Sequence, residues 1–180
     1  MNLCNIFTAT ALLITLCMAS ATSMAMPNDR QQTITVESDS AERNAKTGKT
    51  VYTGNVTISQ GSILIEAEQI TLHYQGAKLS RIECIGTPAS YQQMISQENG
   101  LMIAKAEHID YLLGTDKISL KRNAALSRSG TVIKGDSIDY DIKNETWKAK
   151  GDNLGEKKRI QLVIPPTVQE TPSAPQESTP

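Results

Sequence analysis

Few side chains in this sequence could do chemistry, and their spacing argues against most of it. The two histidines, His73 and His108, each lack a ligand-spaced His or Cys partner along the chain, so no metal site is expected. Of three cysteines, Cys4 and Cys17 fall in an apolar leader, which leaves Cys84 without a disulfide partner. Its flanks, Glu83 and Ile85, offer no cation to lower the thiol pKa, so it reads as a small apolar packing residue. There is no Gly-x-Ser-x-Gly elbow and no Gly-rich phosphate loop followed by Lys-Ser/Thr. No catalytic residue, metal or cofactor is expected.

Four acids form the one conspicuous set: Asp39, Glu68, Glu107 and Asp136, spaced 29, 39 and 29 residues apart. Each stands in the same setting, a small residue, the acid, any residue, then Ala or Ile. From the second copy onward an alternating run follows: Ile70/Leu72, Ile109/Tyr111/Leu113 and Ile138/Tyr140/Ile142. A second element recurs as Gly54-Asn55-Val56, Gly86-Thr87-Pro88, Arg122-Asn123-Ala124 and Gly151-Asp152. Hydrolysis of a polysaccharide would need two carboxylates facing each other across a cleft. A repeat instead sets equivalent acids in a row, one per copy, which predicts a structural use at a strand bend or turn.

The elements that carry these residues are strands. Tyr52, Val56 and Ile58 share one parity and Thr53, Asn55, Thr57 and Ser59 the other; Ile63, Ile65 and Ala67 alternate with Leu64, Glu66 and Glu68. Side chains on a strand point to opposite faces in turn, so each strand has an apolar and a mostly polar face. Turn residues recur at Gly48, Gly61, Gly76, Glu98 to Gly100, Gly114 to Asp116, Gly130, Lys143-Asn144 and Gly151 to Gly155. No segment of three turns has helical apolar spacing. The fold class is therefore all-β, built of short antiparallel strands. Parity puts Ile34, Val36, Val56, Ile58, Ile63, Ile65, Tyr91, Ile103, Ile109, Tyr111, Leu113 and Ile118 on the inner face. Thr35, Thr57, Glu66 and Asp110 go to the outer one.

The ends differ in kind. No charged side chain precedes Asp29, and the apolar run Ile6 to Ala21 ends in Ser23-Met24-Ala25. This reads as a signal peptide over residues 1–25, although no Lys or Arg precedes the run; an uncleaved anchor is the alternative. Residues 26–32 are a polar lead-in, and residues 33–164 form one folded domain. Five of the seven prolines lie in residues 165–180, a stretch too polar to bury a core, so a disordered tail is expected. The charges nearly balance, 18 basic against 19 acidic, which argues against a nucleic-acid partner. With one Trp, five Tyr and one Phe, the chain offers few aromatic platforms for sugars or bases. Its aliphatic interior suits either an ordinary core or a groove for hydrocarbon.

Several of these stretches resemble the LptA (OstA-like) family of periplasmic lipopolysaccharide-transport proteins. They are Ile34-Thr-Val-Glu-Ser-Asp39, Val51-Tyr-Thr-Gly-Asn-Val-Thr-Ile-Ser-Gln-Gly-Ser62, Ile65-Glu-Ala-Glu-Gln-Ile70, Gly86-Thr-Pro-Ala-Ser-Tyr91 with Gln93-Met94, and Ile133-Lys-Gly-Asp-Ser-Ile-Asp-Tyr140. The likeness spans about residues 33–165. Arg122 departs from it, standing where the family often has Gly. The resemblance implies a slightly open, twisted β-jellyroll of stacked antiparallel strands. It implies a soluble periplasmic bridge without enzyme activity, carrying lipopolysaccharide from inner to outer membrane by its lipid A part. The inner-face residues above would contact that lipid. Implied partners are an anchored inner-membrane protein and an outer-membrane receptor of the same fold, with head-to-tail self-association. The membrane-anchored partner itself, or a structural envelope solenoid that moves no lipid, is the alternative.

Overall fold

The computed structural model describes residues 29–96, 100–152 and 159–166. The leader and all but the first residues of the Pro-rich tail lie outside the described residues. Ten strands form a single antiparallel sheet. They are β1 (Thr35–Glu37), β2 (Ser40–Asn44), β3 (Lys49–Gln60), β4 (Ile63–Gln75), β5 (Lys78–Ser96), β6 (Gly100–Leu112), β7 (Lys117–Arg128), β8 (Thr131–Asp141), β9 (Thr146–Lys150) and β10 (Gln161–Val163). Successive long strands are neighbours from β3 through β8. The outer edge of β3 carries two short strands, β2 along residues 49–53 and β1 along residues 57–59. The outer edge of β8 likewise carries β10 near its start and β9 near its end.

Two short strands share one edge because each long strand is bent in the middle. The pairing slips between Thr53 and Val56 in β3, Glu66 and Gln69 in β4, Ile85 and Ala89 in β5, Lys105 and His108 in β6, and Lys121 and Ala124 in β7. An extra residue at such a bulge kinks a strand and raises its twist. Lined up across the sheet, the bulges fold it into two layers. The first holds β1, β10 and the halves of the long strands nearest residues 56–67, 89–106 and 124–135. The second holds β2, β9 and the other halves. Buried residues from both layers make one cluster, and the Tyr91 and Tyr111 rings meet across it edge to face, 5.3 Å between centroids.

Three of the four copies of the second repeated element sit at these bends; the fourth, Gly151-Asp152, follows β9. Gly54 and Asn55 have φ of 83° and 46°, and Arg122 and Asn123 have 62° and 54°. Gly86-Thr87-Pro88 forms the bend of β5, with a cis Thr87–Pro88 bond. Each of these three bends is held by an acid of the other repeat. Asn55 Nδ2 donates to Asp39 Oδ2 at 3.0 Å, Thr87 Oγ1 to Glu68 Oε1 at 2.5 Å, and Asn123 Nδ2 to Glu107 Oε1 at 2.5 Å. Three of the four recurring acids thus tie bulges, which is the structural use their row arrangement predicts.

The bends also decide which side chains face inward. In β6 the buried apolar residues are Met102, Ala104 and Ala106 before the bulge and Ile109 and Tyr111 after it. Parity changes by one at the bulge, so extending the pattern of Ile109 backward misplaces Ile103. Ile103 lies on the outer face, paired with Gln92 and Ser127, and is only half-buried. The polar lead-in is also more structured than expected. Asp29–Gln31 forms a 3-10 turn with Asp29 buried.

Candidate functional site

Pairing register strings the inner residues into continuous rows that cross the whole sheet. In the first layer, Val36, Ile58, Ile65, Tyr91, Ala104, Leu126, Ile133 and Leu162 are successive cross-strand partners. Facing them in the second layer run Ala41, Tyr52, Ile70, Cys84, Ile109, Leu120, Ile138 and Ala149. Beside that row lies another: Thr50, Leu72, Ile82, Tyr111, Ile118, Tyr140 and Trp147. At the usual strand spacing of about 4.8 Å, an eight-strand row is about 34 Å long. The middle of each row is closed by tight packing, with Ile65, Tyr91, Ala104 and Ile109 fully buried. The ends are not. Trp147 and Leu162 are more than two-fifths exposed, and a hollow of about 290 Å³ opens there between Leu126 and Ile133 of one layer and Tyr140 and Trp147 of the other.

The layers are continuous through the bends on one side, and on the other their turns face each other across a seam. Two arginines clasp this seam. Arg128, at the rim of the first layer, donates to the Tyr140 hydroxyl at 2.8 Å and pairs with Glu145 at 2.9 Å. Arg30, in the 3-10 turn, donates to the Tyr111 hydroxyl at 3.1 Å and pairs with Asp116. The acid follows the tyrosine by five residues both times, and both acids have φ of 54°. Asp29 anchors the Arg30 clasp to the first layer. Its carboxylate accepts from the Ser62 backbone N–H at 2.7 Å, the Ser62 hydroxyl at 2.6 Å and Gln93 Nε2 at 3.2 Å. Gly61 leaves room for it, since a Cβ there would run into the Asp29 carboxylate.

Burial sets the electrostatics of the interior. Desolvation pushes the Cys84 thiol far above its ordinary pKa, with Asp110 and Glu83 adding to the rise. Desolvation also raises Tyr91 well above the phenol value, and raises Tyr111 despite the nearby Arg30 charge. Cys84, Tyr91 and Tyr111 therefore keep their protons in the interior.

Both the sequence and the fold have known relatives. The model of the LptA/(LptD N-terminal domain) LPS transport protein family matches residues 35–146. This chain belongs to that family. It is 31% identical over 159 residues to the lipopolysaccharide export system protein LptA of Haemophilus influenzae, covering 86% of this chain and 90% of that one. It is 32% identical over 152 residues to the protein of the same name from Escherichia coli K12, covering 83% and 80%. The crystal structure of LptH, described as the LptA-homologous periplasmic component of the Pseudomonas aeruginosa lipopolysaccharide transport device, superposes with a TM-score of 0.71. The sequences are 29% identical, with 78% of this chain and all of that one covered. Among the described residues no helix is long and apolar enough to cross a membrane.

Within this family fold, the predicted inner residues fall as follows. Val56, Ile58, Ile63, Ile65, Tyr91, Ile109, Tyr111 and Ile118 are buried in the rows or next to them. Val36 and Leu113 pack against the cluster from its margins. Ile34 stands one residue before β1 and is 38% exposed. Ile103 is on the wrong face, as described above. Asp110 keeps the outer face predicted for it but is buried there under neighbouring polar side chains. Met102, Ala104, Leu126, Ile133 and Trp147 belong to the trough and were not anticipated. Tyr140 was legible as the repeat partner of Tyr111, since both lie two residues beyond an Ile of the recurring run.

Proposed function

We propose that this chain is a periplasmic bridge component that carries lipopolysaccharide toward the outer membrane, its acyl chains shielded between the two layers. One observation carries the reading: unbroken apolar rows cross the entire sheet and end in half-buried or exposed residues, Val36 and Ala41 at one edge and Ala149 and Leu162 at the other, in a chain belonging to a lipopolysaccharide-transport family. The physical need is plain. An acyl chain of about a dozen carbons exposes about 10 kcal/mol of hydrocarbon to water at about 0.8 kcal/mol per CH₂. Rows of equivalent aliphatic contacts let such a chain shift from rung to rung without a deep well at any one. Sugars and phosphates stay outside in water. No bond is made or broken, and the chain is read as a carrier, not an enzyme.

The tightly packed middle means that acyl chains enter by parting the layers at the clasped seam or from the open ends. The same ends expose unpaired strand edges at β1 and β10, suited to adding a strand from another molecule. Head-to-tail stacking on copies of itself, on an anchored inner-membrane partner and on an outer-membrane receptor would join the troughs end to end. The fully buried midsection also favours a second reading, a structural stack that holds no lipid. Purification from the native envelope followed by mass spectrometry separates them. Co-purifying lipopolysaccharide, with soluble periplasmic fractionation and an amino terminus at Met26, supports the carrier. Lipid-free protein from cells rich in lipopolysaccharide supports the stack.

A further inference from the structure

The outer face of the second layer holds a polar cluster that neither the trough nor the bulges use. Glu83 and Asp110 are cross-strand partners on β5 and β6, and His108 lies two residues before Asp110 on the same face. His108 Nε2 is 3.2 Å from Asp110 Oδ2 and 3.5 Å from Glu83 Oε1. One donor atom from each of the three lies within 4.8 Å of the others. The other Glu83 oxygen, Oε2, is 3.1 Å from His73 Nε2 on β4. The other Asp110 oxygen, Oδ1, accepts from Arg81 Nε at 2.7 Å. His108 and Asp110 stand two residues apart on β6, and strand register brings Glu83 to them from β5.

We propose that His108, Glu83 and Asp110 form a binding site for a divalent transition metal of the zinc type. Four ligands about 2.0–2.1 Å from a tetrahedral ion stand about 3.3–3.4 Å apart. The 3.2 and 3.5 Å separations around His108 Nε2, a hydrogen bond to Asp110 and an ion-pair contact with Glu83, are close to those edges, and all three donor atoms lie within 4.8 Å of one another. The donor set is one imidazole and two carboxylates, with a position left for water, and an imidazole ligand favours zinc over calcium or magnesium. Two carboxylates offset the charge of a divalent ion, shared with Arg81, which lies 2.5 Å from Asp110 Oδ1 and 3.5 Å from Glu83 Oε2. Each ligating carboxylate has its second oxygen fixed by another side chain, Glu83 by His73 and Asp110 by Arg81, the support that orients metal ligands. His108 ligates through the Nε2 lone pair of its neutral ring, with the proton on Nδ1. The neighbouring cation Lys121, 3.7 Å from Asp110 Oδ2, has a largely exposed side chain that can swing into water. The ion would staple β5 to β6 behind the trough.

Calorimetric titration of zinc chloride into the tag-free, chelator-treated chain tests this. One ion per chain is expected, with a rise in melting temperature on loading. Cobalt(II) should bind at the same site with the strong visible absorption of low-coordinate Co(II). His108→Gln and Glu83→Gln should each weaken binding at least tenfold, and His73→Gln, which removes only the support of Glu83, by about tenfold. Circular dichroism of each variant without metal establishes that it is folded before it is titrated. Wild-type protein that binds no zinc, or binds several ions weakly, would overturn the proposal without needing any variant. So would binding unchanged in folded His108→Gln. The site is independent of lipid carriage, and neither result bears on that reading.

Discussion

Arg128 and Tyr140 reach each other from opposite layers of the folded sheet, guanidinium to hydroxyl at 2.8 Å. Arg128 is also paired with Glu145, whose side chain is nearly half exposed, so the ion pair is partly screened by solvent. The charged hydrogen bond to Tyr140 is the stronger contact, of order 1.5–3 kcal/mol where shielded. Arg128→Met keeps the aliphatic stem and removes both contacts. It should lower unfolding free energy by about 1–2 kcal/mol and speed uptake of lipopolysaccharide or a fluorescent lipid A analogue. Uptake no faster than wild type in a folded variant would show that the seam is not the way in.

Strand parity, corrected at the bulge of β6, gives a sharper test of the trough. A photo-activated cross-linking residue at Val36, Ala104 or Ile133 should capture lipopolysaccharide. The same residue at Thr35, Ile103 or Lys105 should not, because a one-residue step reverses the face. The contrast between Ile103 and Ala104 matters most, since the uncorrected pattern predicts the opposite. Equal capture at both positions would sink the inner-face assignment.

At the bulges, backbone conformation sets the outcome of substitution. Gly54 has φ of 83°, and a Cβ there would run into the Asp39 carboxylate, so Gly54→Ala should destabilise by about 2–4 kcal/mol in chemical denaturation. Arg122 holds the left-handed conformation of the equivalent bend, φ 62°, and recovers part of that strain through its ion pair with Glu107 at 3.2 Å. That pair is largely exposed and weak. Arg122→Gly should leave stability unchanged or raise it by up to about 1 kcal/mol. A loss above 1 kcal/mol would mean that the Arg122–Glu107 pair dominates.

Alkaline pH should weaken the fold in a defined order. Burial raises the folded-state pKa of Cys84 above the ordinary value of 9.0, so above that pH the unfolded chain loses a proton that the native thiol keeps. The unfolded state then binds fewer protons, and unfolding free energy falls by about 1.4 kcal/mol per pH unit for one such group. Tyr91 and Tyr111, both raised from 10.0, steepen the fall above pH 10. Cys84→Ala should remove the first part of the slope in urea unfolding followed from pH 8 to 10. Native Cys84 should also resist a thiol reagent at pH 8 that labels it at once in urea; rapid labelling of the folded protein would contradict its burial.

Assembly should depend on the carboxy-terminal edge. Deleting residues 159–180 removes β10, which pairs only with residues 132–134 of β8, and leaves the long strands intact. The shortened chain should stay folded and lose concentration-dependent growth in light scattering. Undiminished self-association would move the interface elsewhere.

Much of this protein is legible in the pattern of its residues. Alternation fixed the strands, because a chain with one apolar face in two-residue register has few other ways to bury it. Glycine and polar pairs fixed the turns. The recurring acids were readable as structural because equivalent positions of a repeat fall in a row, and Asp39, Glu68 and Glu107 do hold equivalent bends. Ile103 was misread for the opposite reason. A bulge adds one residue to a strand without changing its alternation on either side, so a local pattern cannot show where parity shifts.

What the sequence by itself determined, then, is a periodicity: which residues form strands and which residues break them. Tertiary structure decided the rest, because it depends on distance across strands and not along them. Tyr91 and Tyr111 lie on different strands and different layers, yet their rings touch. Arg30 lies 81 residues from the hydroxyl it grips. His108, which has Asp110 two residues along on its own face, gains Glu83 from the next strand. Pairing register and the shared line of bulges set those meetings, and both arise only when ten strands are hydrogen-bonded into one bent sheet.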